Sequence, residues 1–143
     1  MRHHRWLALN AVHIYPVARL NDWNQLGYSR WITGTTAPAL IAPNGIFLPQ
    51  NGLLLDSTTH AMFDAYDIAV SPDHGRQVVV FSPDSRQLRG RVLSSTTRPR
   101  AARDQNMAVS DNLLRWHFHQ AILLNIRGGA RECGTLTMQE ATP

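Results

Sequence analysis

Four side chains in the first half of the chain have the types and spacing to do chemistry. His13 lies in the apolar run "AVHIYP", where an imidazole is a poor choice for packing alone. Asn51 heads the stretch "NGLLLDSTTHAMFD", and His60 and Asp64 stand four residues apart further along it. On a helix, that spacing puts both side chains on one face. An imidazole nitrogen and a carboxylate oxygen together suit a divalent ion of the Mg, Mn, Zn or Ni type. The same pair also reads as a capping or surface histidine beside a solvated acid.

The elements that must position these groups follow from turn and cap signals. Residues 11–18, "AVHIYPVA", read as a strand ending at Pro16, and residues 51–55, "NGLLL", as a second. Residues 20–50 read as a long irregular loop broken by Gly34, Pro38, Pro43 and Pro49. Asp56 or Ser57 is a fitting N-cap for a helix over 57–66. Runs 68–71 and 77–82 flank the turn "PDHG", which holds His74, and predict a hairpin; "GRVLSS" is a candidate extra strand. Ser110 or Asp111 caps a last helix, predicted to stop at Gly128 and Gly129 and to pack through Leu114, Phe118, Ala121, Ile122 and Leu124.

With 143 residues, the chain suits one domain and can bury a core, and a hydrophobic fraction of 43% argues against disorder. Its one cysteine, Cys133, excludes an internal disulfide and a cysteine-based zinc site, and has no base nearby in sequence to make it a nucleophile. No apolar run approaches the ~20 residues that span a bilayer, and the basic-then-apolar start lacks a convincing cleavage site. The expectation is an intracellular protein, cytoplasmic or nuclear, with no membrane partner.

Net charge is +4, and every basic residue outside the histidines is arginine. Arg86, Arg89, Arg91, Arg98, Arg100 and Arg103 fall in one acid-free segment, which favours a polyanion partner or else a solvated loop. Arg19 and Arg30 flank the long loop and are further candidates for phosphate. Trp23 and Trp31 within it read as core clamps in preference to base-stacking platforms. His3 and His4 read as part of a disordered arm, and His117 and His119 as packing or surface groups.

The order His, Asn, His across "AVHIYP" and "NGLLLDSTTHAMFD" resembles the HNH nuclease family, and is most similar to fungal proteins carrying such a domain. The resemblance spans residues 11–129 and takes in "VVVFSPD" and "SDNLLRWHFHQAILLNIRG". It implies an α+β fold: a ββα-metal finger with an added β-hairpin and a C-terminal helix. It divides the chain into an N-terminal arm (1–10), the domain (11–129) and a tail (130–143), and implies a domain shortened at its N-terminus.

The family's activity is metal-dependent endonucleolytic hydrolysis of phosphodiester bonds in DNA. Carried over by motif, His13 is the general base, Asn51 orients it, and His60 and Asp64 bind one divalent metal ion. Arg19, Arg30, Arg86, Arg89 and Arg91 are then expected on the DNA backbone, with little sequence readout. Val12 stands where the family often has a further metal ligand, so a non-catalytic module of the same fold, binding nucleic acid or protein, is the alternative.

Overall fold

The computed structural model describes residues 8–32, 44–94 and 108–141, with the backbone alone for 129–141. Helices and two small antiparallel sheets make an α+β fold. Strand β1 (Leu9–His13) pairs antiparallel with β2 (Gly52–Asp56), with Val12 opposite Leu53 and His13 opposite Gly52. Side chains alternate between faces of a strand. Val12 and Leu53 therefore turn inward together, and the next residue along β1, His13, is left exposed. β1 ends at His13, earlier than expected, because the chain turns inward to bury Ile14 and Tyr15 before Pro16 opens a 3-10 turn.

β2 runs straight into helix α2 (Ser57–Asp64). Asp56 is the N-cap: its carboxylate accepts from the Thr59 backbone N–H at 3.0 Å and from the Thr59 hydroxyl at 2.6 Å. Such a cap contributes about 1 kcal/mol and fixes where the helix begins. These hydrogen bonds hold the Asp56 carboxyl below its usual range.

Strand β3 (Ile68–Ser71) pairs with β4 (Gln77–Val80) as the sequence predicts, and Val92 adds a single bridge to Gln77 where a further strand was expected. All four residues of β3 are buried, and the strand packs against helix α3 (Asp111–Ala141). The Ser110 hydroxyl accepts from Leu113 N–H and caps α3.

The segment 20–50 is not the structureless loop its breakers suggest. It contains helix α1 (Leu20–Gln25) and a 3-10 turn at Tyr28–Trp31. Trp23 is fully buried and donates to the Asn44 carbonyl at 2.8 Å, while Trp31 stacks on Tyr28 at 4.3 Å, so both tryptophans clamp the segment to the core.

Helix α3 continues through Gly128 and Gly129, the expected stop. Glycine costs a helix roughly 1 kcal/mol against alanine but does not end it as proline does. The buried face of α3 is also rotated from the expected one: Leu113, Leu114, Trp116, His117 and Ala121 are inside, while Leu124 is exposed. His3, His4, Arg98, Arg100 and Arg103 and the side chain of Cys133 lie outside the described residues.

Candidate functional site

The open end of β1, the face of α2 and the start of the buried stripe of α3 enclose a pocket of about 480 Å³. Its lining includes His13, His60 and Asp64, together with Tyr66 and His117. His60 and Asp64 project from one side of α2 as their spacing requires, and His60 Nε2 lies 2.8 Å from an Asp64 carboxylate oxygen. The other ring nitrogen, Nδ1, lies 3.5 Å from the Asn10 side-chain amide on β1. Both members are accessible, Asp64 the more so at 59% exposure. His13 is exposed and meets the edge of Phe47 with ring centroids 5.8 Å apart.

Asn51 sits in the 3-10 turn that precedes β2 and is fully buried. Its side-chain oxygen accepts from Tyr15 N–H at 2.8 Å, and its amide donates to the carbonyls of Tyr15 (3.1 Å) and Ile46 (2.9 Å). The Ile14 N–H also donates to the Asn51 carbonyl. A buried amide saturated in this way ties the chain just after His13 to the turn before β2. The hydrogen bonds of the Asn51 side chain thus go to the backbone of Tyr15 and Ile46.

Two pocket residues were not singled out for the site from sequence. His117 is buried, stacked on Phe63 at 3.6 Å and nearly parallel to it, and its Nε2 donates to the Phe63 carbonyl at 3.1 Å. Burial pushes it down to about 4, so the ring is neutral at ordinary pH. Its position in register with Leu113, Leu114 and Ala121 was the available signal. Tyr66 follows α2 with φ at 60°, in the left-handed region that favours glycine. The backbone closes a Schellman turn there: Tyr66 N–H donates to Phe63 O and Asp67 N–H to Met62 O. The Tyr66 ring lies 4.7 Å from that of His117, and burial raises its phenol above the usual value, with the Arg19 charge acting against the shift and Asp64 adding to it.

The arginines do not form one surface. Arg19 donates to Asp22 and lies over Tyr15 and Trp116, and Arg30 donates to the Leu26 and Gly27 carbonyls and lies over Trp31. Arg86, Arg89 and Arg91 are exposed after β4. None of these five lines the pocket.

Among the described residues, no group of three or more His, Cys, Asp or Glu side chains converges as a metal cluster. Val12, buried at 3% exposure, puts a hydrocarbon beside the pocket where a third ligand would be useful. A Mg-type ion keeps several waters and takes only one or two carboxylates beside substrate phosphates. Asp64 offers one such carboxylate and His60 an imidazole, a donor better suited to Zn or Ni; two ligands do not make a closed structural site.

Residues 2–71 match the family model described as HNH endonuclease. The match covers nearly half of the chain, includes His13, Asn51, His60 and Asp64, and ends with β3. It supports the HNH family and points to nuclease-type hydrolase function on nucleic acid in general. No curated protein and no solved structure matches the chain. Among the described residues no helix is long and apolar enough to cross a membrane.

Proposed function

We propose that this chain is a metal-dependent HNH-type endonuclease that hydrolyses phosphodiester bonds in DNA, with the β1–β2–α2 unit as its ββα-metal finger. The observation that carries this reading is the shared pocket: His13 from β1 and the His60–Asp64 pair from α2 line one cavity, though they lie far apart in sequence. His13 takes the proton from a water as its oxygen attacks phosphorus. Its exposure at the pocket mouth leaves an imidazole nitrogen open to a water, as a general base requires. Asn51 positions His13 by fixing the backbone at Tyr15. His60 and Asp64 would hold one divalent ion, at the expense of their mutual 2.8 Å contact. When bound, such an ion supplies Lewis-acid polarisation of the phosphate and stabilises the leaving 3′ oxygen.

Arg86, Arg89 and Arg91 are free of the pocket and exposed, so they serve the DNA backbone and make binding salt-dependent with little sequence readout. Arg19 and Arg30 contribute there only by giving up internal hydrogen bonds.

Val12 favours a second reading, a module of the same fold that binds nucleic acid without cutting it. Nicking of supercoiled plasmid with Mg, Mn or Ni, with and without chelator, tests the first reading. It expects open-circular product with at least one metal and none after chelation. Plasmid that is bound yet intact with all three metals supports the second.

A further inference from the structure

We infer that Tyr66 is a substrate-binding residue whose hydroxyl donates a hydrogen bond to a phosphate oxygen of nucleic acid in the His13–His60–Asp64 pocket. The inference rests on the nuclease reading above and adds a residue to it. Tyr66 occupies a left-handed position, φ 60°, at the end of α2. A Cβ there costs roughly 1 kcal/mol that glycine would not, and the Schellman turn needs only the backbone. The side chain is therefore kept where the turn itself would be better served by none.

The turn aims the ring into the pocket lining, and His117 fixes its plane. His117 is itself held by Phe63 through a stack and a hydrogen bond. A buried histidine of α3, beyond the family match, thus supports an aromatic ring that the match includes. Among the described residues the Tyr66 hydroxyl has no protein acceptor, and Tyr66 shares the pocket lining with His60 and Asp64. A half-buried phenol in the same pocket lining as His60 and Asp64 offers a neutral donor at the point where an anionic oxygen would enter. Hydrogen bonds from neutral donors to charged acceptors are among the stronger ones.

Tyr66→Phe removes one oxygen and keeps the ring, the stack and the strained backbone. The test measures binding of a fluorescent duplex oligonucleotide by anisotropy, in chelator, for the parent and Tyr66→Phe, with thermal melting of both. Binding about tenfold weaker with an unchanged melting temperature is the expected result. Equal affinity overturns the role given to Tyr66 while leaving the nuclease reading in place. A parent that binds no oligonucleotide at all removes the nuclease reading, and the inference with it.

Discussion

In the β3–β4 half of the molecule, the charged pairs reach across to another element. Arg76, buried after the hairpin turn, donates to Asp111 at the start of α3 at 2.7 Å, and Asp73 receives Arg115 at 2.6 Å. In the β1–β2–α2 half, the His60–Asp64 pair stays within one helix and, among the described residues, joins nothing else but Asn10. The first arrangement ties elements together, and breaking it loosens the fold. The second is local, accessible and cheap to give up, as a pair must be if it is to accept a ligand. The strands differ in the same sense: β3 is buried throughout, whereas β1 alternates and leaves His13 in solvent. One half supplies burial, and the other exposes functional groups on a frame that the first half braces.

Asn51 is where this division is sharpest, since it is a buried structural residue inside the site half. Asn51→Ala leaves Tyr15 N–H and the Tyr15 and Ile46 carbonyls without their partners. The expected loss is about 4 kcal/mol, read by chemical denaturation. A loss under about 1 kcal/mol would mean that Asn51 does not hold the β1 exit.

His117, the brace between the halves, gives the next effect. Its folded value of about 4 lies below the ordinary 6.5, so between those values the unfolded chain binds a proton that the folded chain does not. Stability from this group is complete above pH ~6.5 and is lost as pH falls toward 4, by about 3 kcal/mol. His117→Phe keeps a ring against Phe63 and should flatten that slope in pH-dependent melting. An equally steep slope in the variant would assign it to other groups.

The smallest effect belongs to the bracing half. Arg76→Met removes a buried guanidinium and leaves Asp111, half-exposed, to water. It should cost about 2 kcal/mol in melting experiments and leave metal binding by the folded protein unchanged. A loss of metal affinity would show that the two halves are not separable in function.

Much of this organisation was legible in the residues. The i, i+4 pair in "STTHAMFD", the cap at Asp56 and the "PDHG" turn are local signals, and local signals survive folding. The phase of α3 was not legible, because Leu113 and Phe118 offer rival apolar stripes and only packing on β3 selects between them. Helix α1 was hidden by the prolines and glycines around it. Tyr66 and His117 entered the pocket through tertiary contacts: a left-handed turn made by tyrosine and a histidine stacked on a phenylalanine leave little trace in composition or period.

The central claim is that His13 acts as the base in a metal-dependent cut. It is tested most directly by comparing plasmid nicking by the parent and by His13→Ala at equal DNA occupancy, in the metal that supports the parent. The account predicts a fall in rate of at least roughly a hundredfold with DNA binding retained. A His13→Ala protein that nicks as fast as the parent would contradict it.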